Sequence, residues 1–166
     1  MSKPTNKVLL ADDDESVRES LSKLLQGEGY QVVSVADGAE AMETFYRQQN
    51  QIDLLLVDLN MPVKNGWATL DRLIEINPCL PILIVTGQPN QYEMAEAAGV
   101  RALVEKPIDV PALLRVIHEL LDGPVESRVP RGGHRDFPFR LVRAAGYTSS
   151  WKDLDIYPHA QGGLNE

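Results

Sequence analysis

Short apolar runs alternate with longer amphipathic segments along residues 7–122, and this alternation predicts strands and helices in turn. Several of the short runs are almost continuously apolar, as in central parallel strands that are covered on both faces. Each run is too short to form a helix of ordinary length. The predicted strands are Lys7–Ala11, Gln31–Val35, Leu54–Val57, Pro81–Thr86 and Ala102–Val104.

Apolar residues recur at helical spacing between these runs. The last helical stretch is the most regular, with Asp109 as its predicted N-cap. The pairs Ser16 with Glu19 and Asp37 with Glu40 have the spacing of a capping box. Because strands and helices alternate, the connections are expected to be right-handed crossovers within one parallel sheet. The pattern therefore predicts a doubly wound α/β domain with a five-stranded parallel sheet.

Residues 123–166 lack this alternation and are dense in glycine and proline, which predicts an irregular C-terminal extension. We therefore expect one domain at residues 1–122 and an extension at 123–166 that is either poorly ordered or docked onto a partner. Between Arg128 and Arg143 the extension has five arginines and one acidic residue, Asp136. Candidate anchors, for a partner or for the acidic domain of the same chain, are Phe137, Phe139, Leu141, Val142, Tyr147 and Trp151.

The composition narrows the class of protein. Of the 166 residues, 43% are hydrophobic, which is enough for a globular core. The formal net charge of −8 argues against a protein that coats nucleic acid or anionic membrane. The single cysteine, Cys79, has no partner for an internal disulfide, which fits a reducing compartment. No apolar run approaches the ~20 residues of a membrane span and no export signal is evident, so a cytoplasmic protein without membrane insertion is expected.

Polar residues stand where the predicted strands end. The run Asp12–Asp14 follows the first strand, and Asp58 follows the third. Thr86 ends the fourth strand, and Lys106 comes shortly after the fifth. In doubly wound sheets the binding site lies outside the carboxyl ends of the strands, at the point where strand order reverses. Each of these residues alone is an ordinary turn, cap or surface residue, and their joint position at strand ends is what indicates a site.

The residue types at these strand ends suit phosphoryl transfer to a carboxylate. Clustered carboxylates repel one another and need a cation or shared protons, and an all-oxygen site favours Mg²⁺. The three histidines are scattered along the chain, which disfavours zinc. Asp58 is the candidate nucleophile, with Lys106 as a positive charge and Thr86 as a hydroxyl donor for the phosphate oxygens. The set indicates in-line transfer driven by positioning and electrostatics.

Four stretches of residues 7–122 together resemble the receiver domain of two-component response regulators. The stretches are Val8–Asp14 (VLLADDD), Asp53–Pro62 (DLLLVDLNMP), Ile82–Gly87 (ILIVTG) and Val104–Pro107 (VEKP). The resemblance implies a flavodoxin-like fold with strand order 2-1-3-4-5 and a Mg²⁺ cofactor. It also implies the following roles: Asp58 as phosphoacceptor and metal ligand, Asp13 as a direct Mg²⁺ ligand, Asp12 as a ligand acting largely through water, Asn60 as a ligand through its backbone carbonyl, Thr86 as the switch hydroxyl, and Lys106 as the partner of the phosphate.

The resemblance implies a signalling protein rather than an enzyme that turns over a separate substrate. A histidine kinase or phosphotransfer protein would supply the phosphoryl group, and a downstream protein would bind the fourth helix, fifth strand and fifth helix. The resemblance also implies a cis Lys106–Pro107 bond, because the peptide before the matching proline is commonly cis in the family and an X-Pro bond adopts cis at low cost. Leu103 departs from the family pattern, because the family often has Tyr or Phe three residues before the lysine. Leucine lacks the ring that moves with the threonine, so the resemblance does not extend to that coupling.

Three alternative functions are weaker. A Mg²⁺-dependent phosphohydrolase would also form an aspartyl-phosphate, but haloacid-dehalogenase-like enzymes usually carry a second acid two residues after the nucleophile, where this chain has Asn60. A transcriptional regulator, or another nucleic-acid contact, is supported only by the arginine-rich extension. A dinucleotide-binding oxidoreductase is disfavoured because no glycine-rich loop follows the first strand.

Overall fold

The structure, a computed structural model, describes residues 5–61, 66–122, 139–143 and 146–148. Strands and helices alternate as far as the fifth helix, as the sequence pattern predicts, and two further strands follow. The elements are β1 (Lys7–Ala11), α1 (Glu15–Gly27), β2 (Gln31–Val35), α2 (Gly38–Gln48), β3 (Leu54–Asp58), α3 (Gly66–Ile76), β4 (Ile82–Thr86), α4 (Tyr92–Ala97), β5 (Ala102–Glu105), α5 (Val110–Asp122), β6 (Arg140–Arg143) and β7 (Gly146–Thr148).

The strands of the described residues form one sheet in the order β2-β1-β3-β4-β5-β6-β7. The pairs from β2 to β6 are parallel, and β6 pairs with β7 in antiparallel orientation. The doubly wound α/β class and the order 2-1-3-4-5 of the first five strands are therefore confirmed. The order reverses between β1 and β3, so the carboxyl ends of these two strands flank the switch point where such folds bind ligands.

Helices cover both faces of the sheet because successive side chains of a strand point to opposite faces. On one face, Leu55 and Ile84 pack in a core with residues of α2, α3 and α4. On the other face, Leu56 and Val85 pack with residues of α1 and α5. Since β3 and β4 are buried along their whole length, both strands are apolar without interruption until their last residue.

Aspartates cap three helices. Asp37 and Asp109 accept hydrogen bonds from backbone N–H groups at the starts of α2 and α5, as predicted. The predicted capping box of Ser16 with Glu19 is wrong. Asp14 caps α1 instead, and its side chain accepts from the N–H of Ser16 itself at 2.9 Å. The third acid of the run is therefore used to start a helix.

The sheet is wider than the five strands predicted, because residues 140–143 and 146–148 form β6 and β7. The predicted count is corrected to seven strands within the described residues. The short apolar stretch in β6 lies between arginines and close to glycine and proline, which conceal strand character in the sequence. Its pairing with β5 supplies the backbone partners that so short a segment lacks alone. The domain boundary at 122 and the state of 123–138, 144–145 and 149–166 stay predictions, since those ranges lie outside the described residues.

Three candidate anchors of the extension, Phe139, Leu141 and Val142, are buried against the main sheet. Burying three such side chains gains about 5–9 kcal/mol, while ordering the backbone of five residues costs about 5–10 kcal/mol. The two contributions nearly cancel, so polar contacts at the ends of β6 decide whether the strand stays paired. The other anchors lie outside the described part of the chain: Phe137, Trp151 and the side chain of Tyr147.

Gly66, the first residue of α3, is predicted to tolerate no larger side chain. A Cβ at this position would lie 2.7 Å from the Cα and 2.9 Å from the carbonyl oxygen of Leu59, which are backbone atoms. We expect Gly66→Ala to lower the free energy of unfolding by about 1–3 kcal/mol, as measured by urea denaturation. Gly27→Ala in α1 is the control, because nothing lies within 4 Å of its added Cβ, and it should be neutral or stabilise by up to about 1 kcal/mol. Equal effects of the two substitutions would contradict the close approach of Gly66 to Leu59.

Candidate functional site

The carboxyl ends of β1, β3, β4 and β5 bring four predicted site positions to one edge of the sheet. Asp58 and Thr86 are the last residues of β3 and β4, and Asp12 and Lys106 directly follow β1 and β5. The strands are paired in register up to this edge. Asp12, Asp58 and Thr86 are almost fully buried, at 1%, 3% and 0% exposure. Polar groups buried this deeply need partners within the site.

Three carboxylates form the acidic part of the site. Asp12, Asp13 and Asp58 each place one oxygen within 4.8 Å of an oxygen of the other two. Asp12 and Asp58 are buried, whereas Asp13 is exposed to solvent. Asp14 does not belong to this cluster, since its side chain caps α1. The convergence expected of Asp12, Asp13 and Asp58 is therefore present in the structure.

Lys106 supplies the positive charge of the site. Its Nζ donates a hydrogen bond to Oδ2 of Asp58 at 2.9 Å and lies 3.8 Å from Oδ2 of Asp12. Burial lowers the pKa of Lys106, but the hydrogen bond to Asp58 and the attraction of the three carboxylates outweigh it, so the pKa is raised overall. The backbone N–H of Lys106 also donates to the carbonyl of Thr86 at 2.8 Å. The following bond, to Pro107, is cis, as predicted.

The pKa of Asp12 is raised above its usual value. Burial is the main cause, and the charges of Asp58 and Asp13 add to it, while the backbone N–H of Asp14 and the ammonium of Lys106 oppose it. A raised carboxyl pKa means that folding disfavours the charged form. The positive charge of Lys106 therefore does not fully offset the cost of burying the charge of Asp12 beside two other carboxylates. A hard divalent cation bound between their oxygens would, and an oxygen-only donor set fits Mg²⁺.

Hydrogen bonds to the backbone hold the acidic run in place. Oδ1 of Asp12 accepts from the N–H of Asp14 at 2.9 Å. The guanidinium of Arg18 donates to the carbonyl oxygens of Asp12 at 2.9 Å and of Asp13 at 3.2 Å. Arg18 was not among the predicted site residues. Its position near the start of α1 could have indicated this role. A positive charge there is unfavourable with respect to the helix dipole, so a nearby hydrogen-bond acceptor is expected.

Hydrogen bonds join the loops after β3 and β4 close to Asp58. The N–H of Asn60 donates to Oδ1 of Asp58 at 2.9 Å, so both oxygens of Asp58 have a donor. Oγ1 of Thr86 accepts from the N–H of Gln88 at 3.0 Å. The side chain of Gln88 donates to the side-chain oxygen of Asn60, which lies 28 positions earlier in the chain, and no sequence pattern indicates this contact. The metal-ligand role of the Asn60 carbonyl and the switch role of Thr86 stay predictions.

Leu103, which departs from the family pattern, is fully buried in β5. Its backbone is in register with Leu141 of β6. Both side chains belong to the apolar cluster that contains Tyr92 of α4. Leu103 is therefore a core residue at the junction of β5, β6 and α4.

Comparisons with known proteins show which family the chain belongs to. Residues 8–118 match the family model described as the response regulator receiver domain. The transcriptional regulatory protein GlrR of Escherichia coli is 31% identical over 124 residues, which cover 74% of this chain and 28% of GlrR. The transcriptional regulatory protein CpxR of Escherichia coli is 32% identical over 118 residues, which cover 70% of this chain and 49% of CpxR. The chain therefore spans about half, or less, of the length of these relatives.

Solved structures of similar fold are matched over nearly their whole length. The chemotaxis response regulator CheY4 of Vibrio cholerae superimposes with a TM-score of 0.63 and 30% identity, covering 70% of this chain and 99% of CheY4. A CheY-like receiver domain protein from Methanospirillum hungatei gives a TM-score of 0.68 and 27% identity, covering 75% of this chain and 99% of that protein.

Asp12 is predicted to lower the stability of the metal-free protein, because its raised pKa reports an unfavourable buried charge. In the presence of a chelator at pH 7, we expect Asp12→Asn to raise the free energy of unfolding by about 1 kcal/mol, a common size for one substitution. The gain should shrink as the pH falls through the raised pKa of Asp12 and vanish below the ordinary pKa of 3.8, where the wild-type carboxyl is neutral in both the folded and the unfolded protein. Asp14→Asn is the control, because Asn and Asp cap helices equally well. A loss of stability in Asp12→Asn at pH 7 would contradict the assigned imbalance of charge.

Proposed function

Because the chain belongs to the response regulator receiver domain family, we propose that it is phosphorylated on Asp58 in a Mg²⁺-dependent reaction. One observation carries the proposal. Asp58 is a buried carboxylate that accepts a hydrogen bond from Lys106 at 2.9 Å and lies beside the oxygens of Asp12 and Asp13. A cap or turn residue would instead be exposed or satisfied by helix N–H groups. A carboxylate held between an ammonium and an acidic cluster suits a nucleophile that receives a phosphoryl group.

In the proposed reaction, an oxygen of Asp58 attacks the phosphorus of a phosphohistidine on the donor protein. The new P–O bond forms as the P–N bond breaks, and the imidazole nitrogen leaves with the bonding electrons. Nζ of Lys106 is positioned to pair with a phosphoryl oxygen. Oγ1 of Thr86 accepts from Gln88, which leaves its hydroxyl proton as a donor to a second phosphoryl oxygen.

The oxygens of Asp12, Asp13 and Asp58, with the backbone carbonyl of Asn60, would hold the Mg²⁺. When bound, the ion neutralises charge on the carboxylates and on the transferred group. The raised pKa of Asp12 supports this assignment, because a cation at this position would relieve the penalty on its buried charge.

A histidine kinase or a phosphotransfer protein would supply the phosphoryl group, and a downstream protein would receive the signal at the surface of α4, β5 and α5. We infer a cytoplasmic signalling component that turns over no separate substrate. Within the described ranges, no helix has both the length and the apolar character needed to cross a bilayer. GlrR and CpxR are transcriptional regulatory proteins by name, and the matched region is only part of each.

The described arginines of the extension do not favour contact with nucleic acid. Arg140 pairs with Glu119 at 2.9 Å, and Arg143 pairs with Glu105 at 3.0 Å. Both positive charges are therefore engaged within the chain. The phosphohydrolase alternative gains no support either, because Asn60, two residues after Asp58, offers an amide in place of the second acid.

Phosphorylation is predicted to add one group to Asp58. After incubation with Mg²⁺ and acetyl phosphate, intact mass spectrometry should show one adduct of about 80 Da, the mass of a phosphoryl group. Asp58→Ala should show none, because it removes the accepting oxygen. A chelator should suppress the adduct on the wild-type chain.

Two results would count against this assignment. An adduct that persists in Asp58→Ala would place phosphorylation elsewhere, and the absence of any adduct with acetyl phosphate or a phosphohistidine donor would exclude the proposed reaction. Multiple turnovers of a phosphoester substrate would support the phosphohydrolase instead.

Mg²⁺ is predicted to stabilise the folded protein, because the acidic cluster is assembled only on folding. At free Mg²⁺ 100 times its dissociation constant, the free energy of unfolding should rise by about 2.7 kcal/mol. Asp13→Asn should lose most of this increase, while Asp14→Asn, which alters the cap of α1, should keep it. An undiminished response to Mg²⁺ in Asp13→Asn would exclude Asp13 as a ligand.

A further inference from the structure

The strand β6 is held by charge at both ends. Its backbone pairs in parallel with Ala102–Val104 of β5. At the first residue of β6, Nε of Arg140 lies 2.9 Å from Oε2 of Glu119 in α5. At the last, Nε of Arg143 lies 3.0 Å from Oε2 of Glu105, and its Nη2 donates to Oε1 at 3.4 Å. Two acidic side chains on the domain therefore match two arginines spaced along one short strand.

Helix α4 also lies beside β6. The guanidinium of Arg143 lies 6.0 Å from the ring centroid of Tyr92 in α4, within the range of a cation–π contact. Leu141 lies in the same apolar cluster as Tyr92 and Leu103. We call the surface formed by Tyr92, Leu103, Glu105 and Glu119 the β5 docking surface. This surface binds an extended segment through backbone pairing, through apolar contacts and through two glutamates that pair with arginines of the segment, which is the chemistry of strand addition.

This recognition does not depend on how β6 is connected to α5. Sixteen residues, 123–138, separate the end of α5 from Phe139. Fully extended, a chain of that length reaches at most ~53–58 Å, which is enough to reach the same surface on a neighbouring molecule. Since burial gain and ordering cost nearly cancel for this segment, the ion pairs decide whether it stays bound, on its own chain or on a neighbour.

A β5 edge without β6 would present unpaired backbone groups to other chains. The β6 strand of a second copy fits this edge as well as the chain's own β6 does, because it carries the same arginines at the same spacing. Exchange of an identical element between two molecules preserves every contact and closes a two-fold dimer.

We infer that residues 139–143 are an exchangeable strand, which occupies the β5 docking surface of its own chain in the monomer and that of a second copy in a reciprocal dimer. The inference rests on β6 and its contacts, and it does not require phosphorylation of Asp58.

Two charge-reversed variants of the full chain test it. The first carries Arg140→Glu with Arg143→Glu, and the second carries Glu105→Arg with Glu119→Arg. In each variant alone, β6 meets like charge on its own surface and on that of any identical copy. In a mixture of the two, opposite charges meet only between different chains, and they do so at both surfaces. A chain with all four substitutions restores the match within one molecule and is the control.

Analytical ultracentrifugation of the four samples, namely the two double variants, their equimolar mixture and the four-fold variant, should separate them. We expect each variant alone, and the four-fold variant, to sediment mainly as the 18.4 kDa chain. The equimolar mixture should form a one-to-one complex of twice that mass, which native mass spectrometry identifies as containing one copy of each variant.

A mixture that stays monomeric would overturn the inference. Self-association of either variant alone, as strong as that of the mixture, would also overturn it, since β5 would then pair without β6. If a double variant does not unfold cooperatively, it is not properly folded, and two single variants replace the pair. Arg140→Glu is then mixed with Glu119→Arg, which tests the same exchange with fewer substitutions and at positions farther from Asp58. There, too, absence of a mixed dimer decides against exchange.

Discussion

The hydrogen bond from Lys106 to Asp58 is the interaction on which the site depends. The parallel sheet brings Asp12 and Asp58 out of water side by side, because their strands end at the same edge. One ammonium offsets part of this cost, and the pKa of Asp12 stays raised, mainly because the carboxyl is buried and also because Asp58 and Asp13 repel its charge. The fold therefore carries a local excess of negative charge that a divalent cation relieves. The same imbalance that weakens the metal-free domain would give it affinity for the ion that the proposed chemistry uses.

The sequence predicted the parts of the fold that depend on burial. Strands β3 and β4 are buried throughout, so their apolar runs are continuous and their polar ends, Asp58 and Thr86, mark the site. The convergence of the site followed from topology alone. The contact between Gln88 and Asn60 could not be predicted, because it depends on side-chain positions in two loops. The strand β6 escaped prediction because its existence depends on a partner strand and on two ion pairs, which a four-residue pattern does not encode.

Two adjacent residues at the end of β5 form ion pairs with different parts of the molecule. Glu105 holds Arg143 of β6, and the next residue, Lys106, holds Asp58. The backbone between them is fixed to Thr86 by the N–H of Lys106. In the proposed reaction, Lys106 and Thr86 would both turn to the phosphoryl group, so a change at the site would reach Glu105 through a single peptide unit. The site and the β5 docking surface are therefore neighbours along the chain as well as in space.

The position of β6 near the end of the described chain also matters while the protein is being made. Residues 7–122 contain β5 with α4 and α5, but β6 is complete only after residue 143 has been added. At synthesis rates of ~5–20 residues per second, the intervening stretch of roughly 20 residues takes about 1–4 s. For that interval the β5 edge of each nascent chain has no β6 to pair with, and neighbouring ribosomes on one messenger present the same edge. If β6 is exchangeable as inferred, the pace of translation across residues 123–143 would help to set whether a chain first pairs with itself or with its neighbour.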